Sequence, residues 1–356
     1  MKIRRIEPIA VRLPMRRPVK MAGEVVRAAD NVLVRVETVD GIVGWGEAAS
    51  APTMTGETVA SMVRAITELT PAITRTTDAE DALYAMPGNN AAKAAIDIAL
   101  YDALGKASGK PVCELLGGRH RDSVPLLWTL AGDGEIEEAR QKRREGYGLF
   151  KIKVGISDAD AARTAAVCQE LHGVELICAD ANQGWTVEQA LRYLRAVEKA
   201  GLAFLEQPVT GKDLDGMARL AAASSVAIAF DEGVHDAGDI RRHHAAQAAA
   251  GGSLKAIKLG GLGALVQAAK LCRSLGMKVN LACKISESGI AAAALLHVAA
   301  AVPAVDWGVS ATSHNLEEDL LATPLPMAHG RARIPDAPGL GIEVRDSAVA
   351  RYRVAL

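Results

Sequence analysis

Between residues 122 and 310 the chain repeats one rhythm, a short apolar run followed by a longer stretch with helical periodicity. The runs are VPLLWTL, LFKIKVG, VELICAD, LAFLEQP, VAIAFDE, SLKAIKLGG, KVNLACKISES and AVDWGVS. The stretches between them, TVEQALRYLRAVEKAGL for example, are apolar at helical spacing and exit through glycine. Short strands alternating with helices are parallel βα units, and eight of them suffice to close a barrel. An α/β fold, a modified TIM barrel over residues 121–320, is therefore expected.

The flanks have a different pattern. Residues 1–120 read as an α+β unit. In it, VETVDGIVGWG is a hairpin with an Asp-Gly turn, and GNNAAKAAIDIALYDALGKASG is a helix with a glycine stop. The tail, 321–356, is rich in Pro and Gly and too short for a domain, so it should pack back on the N-terminal unit. The apolar stretch GIAAAALLHVAAAV carries His297 and is too short to span a bilayer, so a buried helix is expected there.

Composition closes off other classes. With 49% hydrophobic and 23% charged residues the chain is ordinary globular material, and neither disorder nor a fibrous repeat is indicated. A net charge of -1 gives no general electrostatic reason to bind nucleic acid or an anionic membrane. Five scattered cysteines, odd in number and without CxxC spacing, argue against a zinc or disulfide framework and for a reducing cytoplasm.

The chemistry of a TIM-type barrel sits at the C-terminal ends of its strands. Here those ends are charged. The second run ends in Lys151-Ile-Lys153, the third in Asp180 with Asn182 close behind, the fourth in Glu206 and the fifth in Asp231-Glu232. The sixth carries Lys255 and Lys258, and the seventh Lys284 and Glu287. Asp180, Glu206 and Asp231 are each about one βα unit apart, so adjacent strands would bring them together at the mouth. Three converging carboxylates repel one another unless a cation holds them. Oxygen ligands without His or Cys suit Mg²⁺, or Mn²⁺ in its place. Lys151 and Lys153 alternate along a strand and so face one space, where each ammonium would lower the pKa of the other.

This ordered set resembles the enolase superfamily, and within it the muconate-lactonizing subgroup of the mandelate racemase/muconate lactonizing enzyme family. The motifs that carry the resemblance are KIKVG, DANQGW, EQP, DEG, a sixth-run lysine before a Gly pair, and ESGI. The resemblance implies a (β/α)7β barrel with an α+β capping domain completed by the C-terminal tail. It also implies Mg²⁺ on Asp180, Glu206 and Asp231, stabilising the enediolate formed when the proton α to a substrate carboxylate leaves. Lys153 would be the base on one face, assisted by Lys151, with a sixth-strand lysine on the other. The subgroup's spacing fits Lys255-Ala-Ile-Lys258-Leu-Gly260-Gly261 without a gap, which makes Lys255 catalytic and Lys258 a supporting or rim charge. In an extended strand, lysines three apart project to opposite sides.

Asp306-Trp307-Gly308 lacks the second acid with which dipeptide epimerases of the subgroup hold a substrate ammonium. Lys284 is an unusual residue on the seventh run, a candidate for a second anionic group or for the solvated rim. Specificity would lie in capping loops around 18–27 and 50–58, with Lys20, Arg27, Met54 and Thr55 as candidates. Asn182, Glu232, Lys258, Lys284 and Glu287 complete the candidate site. The expected activity is that of an isomerase, a racemase or epimerase acting on an amino-acid derivative. A muconate-type cycloisomerase, a dehydratase of a hydroxy acid and a barrel without catalysis are the alternatives. A small carboxylate is the expected partner, with neither nucleic acid nor membrane, and the resemblance implies a homo-oligomer.

Overall fold

The structure, a computed structural model, describes residues 1–76, 78–131 and 134–356 and, at Glu24, the backbone alone. Strands β1 (Ile3–Met21), β2 (Glu24–Thr38) and β3 (Val43–Ala49) form an antiparallel sheet in that order. Its centre is apolar on both faces. Val32, Val34 and Val36 pack under the helices Val59–Arg75 and Asn90–Ser108, while Leu33 packs toward the barrel side. Gly44 and Gly46 let β3 lie directly on the second of these helices. A Cβ at Gly46 would stand 2.0 Å from the Ala95 carbonyl oxygen, and one at Gly44 2.1 Å from that of Ala99. That helix ends at Gly109, whose φ of 67° is the left-handed cap expected of its glycine stop.

After the short strand β4 (Ser123–Pro125), all eight apolar runs contribute barrel strands. These are β5 (Leu127–Leu130), β6 (Leu149–Lys153), β7 (Leu176–Asp180), β8 (Phe204–Glu206), β9 (Ala227–Phe230), β10 (Gly251–Leu254), β11 (Lys278–Ala282) and β12 (Val309–Ser310). They form one parallel sheet in sequence order, and a bridge between Leu126 and Val309 closes it. Inside the barrel, Leu127, Leu149, Cys178, Phe204, Ala229 and Trp307 form an apolar floor. The Phe204 and Trp307 rings stack with centroids 3.9 Å apart.

The helix Gly289–Ala301 is buried along its whole length. Its His297 is a satisfied core residue: Nδ1 accepts from the Cys113 N–H at 3.3 Å, and Nε2 lies 3.1 Å from the Leu340 carbonyl. Burial pulls its pKa down to about 4, which keeps the ring neutral. The tail returns to the N-terminal unit. Leu340 N–H donates to Asp102 Oδ1, and Val354 N–H donates to the Ala10 carbonyl. All five cysteines are buried free thiols. Among the described residues no helix is long and apolar enough to cross a membrane.

Candidate active site

Strand register assembles the site. Lys153 pairs laterally with Asp180, and Asp180 with Glu206, so the three side chains stand side by side on the inner wall. Asp231 follows the end of β9, and Lys255 follows the end of β10. Each of these groups is buried, as is Lys151 one layer below Lys153.

Every charge among them is met by its opposite. Lys151 Nζ lies 2.5 Å from Glu206 Oε2 and 3.8 Å from Asp180 Oδ2. Lys153 Nζ donates to Asp180 Oδ2 and to Asn182 Oδ1, both at 2.7 Å. Lys255 pairs with Asp231 Oδ2, and Lys258 Nζ lies 2.6 Å from Asp231 Oδ1. Asn182 Nδ2 donates to Glu232 Oε1 at 3.1 Å, which ties Glu232 into the same array. Gln207, in the EQP stretch, accepts the N–H groups of Asp231 and Gly233 and so fixes the turn after β9. Asn182, Gln183 and Gln207 have φ of 42°, 65° and 35°, a cluster of left-handed residues at the barrel mouth of the kind functional sites retain.

Two expectations from the sequence are corrected. The sixth run is not extended throughout: β10 ends at Leu254, and Ala256–Leu259 is a helical turn closed by Gly260 at φ 94°. Lys258 therefore turns inward rather than out to the rim. It is fully enclosed, donating to Asp231 and to the Ser253 carbonyl. Nor is the pKa of Lys151 lowered. Burial disfavours the Lys151 charge, but Glu206 and Asp180 outweigh it and hold the pKa above the ordinary lysine value. Lys255 is raised in the same way, against burial, by Asp231, Glu232 and Glu206. At Lys258, which shares Asp231 with Lys255, burial prevails and the pKa is lowered. Burial would raise the Asp231 carboxyl, yet its two lysines pull it well below the carboxylate range. Burial and Asp231 push Glu232 up to about 7.

The donor set fits a hard divalent cation. Asp180, Glu206 and Asp231 offer only oxygen, and Glu206 Oε1 is buried without a hydrogen-bond partner. Among the described residues no three ligating side chains already surround a common point, because the carboxylates are turned toward the lysines. A cation on those oxygens would take over the neutralising role the ammonium groups play.

Above the carboxylates lies a cavity of about 250 Å³. Lys151, Lys153, Asp180, Asn182, Glu232, Lys255, Lys284, Ser310 and Thr312 are among the residues that line it. Met54 reaches the cavity, with Thr53 and with Met21, Ala22 and Gly23 of the β1–β2 turn. Lys20, Arg27 and Thr55 are not brought there. Lys20 and Arg27 are exposed, and the Thr55 hydroxyl is turned to the Ala51 carbonyl. The capping loop is fastened to the barrel by His235, whose Nε2 lies 2.8 Å from the Met54 carbonyl oxygen. Sequence reasoning missed Thr129, Ser310 and Thr312 in the lining, although counting alternate residues along β5 and β12 would have found them.

Glu287 lies behind the cavity wall rather than on it. Its carboxylate accepts the N–H groups of Lys284 and Ala49, while Glu47 of β3 accepts from Ser288 and Ala291 at the start of the buried helix. This acidic pair joins the capping sheet to the loop that carries Lys284. Burial, then Glu287, pushes the Glu47 carboxyl up to about 7. The folded state thus binds a proton at Glu47 more tightly than the unfolded chain does. Stability should fall as pH rises between the unfolded and folded values, by on the order of 3 kcal/mol. Urea denaturation at acidic and at mildly alkaline pH measures the slope, and Glu47→Gln should flatten it.

Comparison with known proteins places these features in context. Residues 5–117 match the model of the mandelate racemase/muconate lactonizing enzyme N-terminal domain, and residues 135–348 match the enolase C-terminal domain-like model. A chloromuconate cycloisomerase from Cupriavidus pinatubonensis is 34% identical, with 96% of each chain covered. An N-succinyl-L-Arg/Lys racemase from Bacillus cereus is 31% identical, covering 99% of this chain and 98% of the relative. The crystal structure of a Pseudomonas fluorescens muconate lactonizing enzyme complexed with muconolactone superposes with TM-score 0.94 at 31% identity, over 99% of both chains.

Proposed function

The chain belongs to the mandelate racemase/muconate lactonizing enzyme family of the enolase superfamily, and from that premise we propose that it is a Mg²⁺-dependent racemase or epimerase of an N-acylated amino acid. Membership makes it an isomerase-type enzyme and implies a divalent metal. One observation supports the two-sided reaction. Lys153 ends β6 and Lys255 follows β10, four places round an eight-stranded barrel, so the two ammonium-bearing chains enter the cavity from opposite walls.

In this reading Asp180, Glu206 and Asp231 hold the cation. When bound, it supplies Lewis-acid charge at the substrate carboxylate and so acidifies the α-proton. A neutral lysine on one wall removes that proton, and the protonated lysine opposite returns one to the other face. With the enantiomer reversed, Lys153 and Lys255 exchange roles. Lys151, held charged by Glu206, contributes positive charge beside Lys153. A cation held on Asp231 and Glu206 would offset the negative charge that raises Lys255. The capping loop fastened by His235 keeps water from the reacting carbon.

A muconate-type cycloisomerase is the second reading, favoured by the 34% identity to a chloromuconate cycloisomerase. It needs proton delivery from a single wall. Exchange in D₂O separates the two: the racemase incorporates α-deuterium from either enantiomer of its substrate. If no N-acylated amino acid in a broad panel exchanges while a muconate lactonises, the second reading holds.

A further inference from the structure

We propose that Asn90 and Asp97, on the capping helix Asn90–Ser108, are positioning residues for Lys255, so that the capping domain governs one of the two proton-transfer faces and not the other. The inference rests on the two-lysine reading given above and extends it to residues outside the barrel.

Lys255 stands at a junction. On its N-terminal side β10 is held in the sheet, with Leu254 paired to Leu281. On its C-terminal side its carbonyl accepts the N–H groups of Lys258 and Leu259, the first bonds of the turn Ala256–Leu259. The direction in which Lys255 leaves the strand therefore depends on where that turn lies.

The turn is fastened to the capping domain. Asn90 Nδ2 donates to the Lys258 carbonyl at 2.5 Å, and just beyond the turn Asp97 Oδ2 accepts the Leu262 N–H at 2.6 Å. Between the two lysines, Ile257 is buried in the capping domain's own apolar cluster, which also holds Met62, Ala92 and Ile96. The Gly pair permits the close approach: a Cβ at Gly261 would stand 2.5 Å from Asp97 Oδ2.

The helix is locked in turn to the loop over the cavity. Its N-cap residue, Asn89, makes no side-chain cap bond, and Glu57 serves instead, accepting the N–H groups of Ala91 and Ala92 at 2.8 and 3.0 Å. The Glu57 carbonyl accepts the Ala51 N–H, which closes the loop that brings Met54 to the cavity. Lys153 is placed otherwise. It lies within β6, paired with Asp180 on β7, and its carbonyl accepts from Arg163 of the barrel helix Asp160–Glu170 at 2.7 Å. A shift of the capping helix would move the Lys255 backbone and leave that of Lys153 where the barrel holds it. Misplacing a reacting group by about 1 Å can cost about 100-fold in rate.

The test compares two enantiomers on one protein. α-Deuterium exchange in D₂O is followed by NMR with the Mg²⁺-loaded protein and whichever N-acylated amino acid of a panel the wild type exchanges fastest, and kcat and KM are measured for each enantiomer. Lys255→Ala marks the enantiomer whose proton Lys255 removes. Asn90→Asp keeps the side chain's shape, removes its donor and places an acid where a helix start favours one. Asp97→Ala removes the acceptor. Each should lower kcat for the marked enantiomer by about tenfold or more, with KM little changed, and leave the other within about twofold. Asp97→Asn, which keeps an acceptor, should lose less. A merely structural role lowers the active fraction and so acts on both enantiomers equally. Equal losses at the two enantiomers, or no loss at either, overturn the assignment, and if one variant does not fold the other decides. If Lys255→Ala itself fails to separate the enantiomers, or the wild type exchanges no acid of the panel, the two-lysine reading fails and this assignment with it.

Discussion

Replacing Lys153 with alanine should abolish racemisation in both directions while sparing α-deuterium exchange for one enantiomer. Lys255→Ala should give the mirror result and spare the other enantiomer. The reasoning is stereochemical. The two lysines enter from opposite walls, so each reaches one face of the α-carbon. A positioned general base or acid contributes about 10²–10⁴ in rate, which sets the size of each loss. Exchange followed by NMR, enantiomer by enantiomer, reads the outcome directly. If Lys153→Ala eliminates exchange from both enantiomers and Lys255→Ala from neither, the enzyme uses one wall and the racemase reading is wrong.

Asp231→Asn should be the most damaging change to both stability and metal binding. Asp231 is the shared counter-ion of Lys255 and Lys258, both buried. An amide in its place removes the carboxylate that both enclosed ammonium groups pair with directly, leaving them the more distant Glu232 and, for Lys255, Glu206. Breaking a buried pair by removing one partner costs about 3–5 kcal/mol, a large part of a typical domain's stability. Urea denaturation measures the loss, and Mg²⁺ titration should show binding weakened beyond detection. The double variant with Lys258→Met separates the two effects. Removing the enclosed charge should restore part of the stability without restoring the metal. Recovery of Mg²⁺ affinity in the double variant would show that Asp231 is a partner of Lys258 and not a ligand.

The barrel was legible in the sequence because its strands are short, apolar and separated by helices with their own period. The acids and lysines at the strand ends were legible for a related reason. Alternation along a strand places Lys151 and Lys153 on one face, and equal unit lengths place Asp180 beside Glu206. Of the two places expected for Lys258, supporting charge or rim, the rim fails: Gly260 lets the chain turn helical directly after Lys255, and the alternation rule stops where the strand does. The capping loops obey no period at all. Charge drew attention to Lys20 and Arg27, which are exposed, whereas the uncharged Met21, Ala22 and Gly23 reach the cavity. The tie between Glu47 and Ser288 joins residues 241 positions apart, and no local pattern announces such a contact.

The stacked Phe204 and Trp307 rings give the barrel a closed end. A vessel with one opening imposes an order of arrival. The carboxylates nearest the floor must be served first, and an acid that settles above them then bars the way out. With a cation on Asp180, Glu206 and Asp231 as proposed above, such a dead end would favour cation before substrate and product before cation. A saturating substrate should therefore shelter the bound cation from a chelator, and the metal becomes in kinetic terms a fixture during turnover.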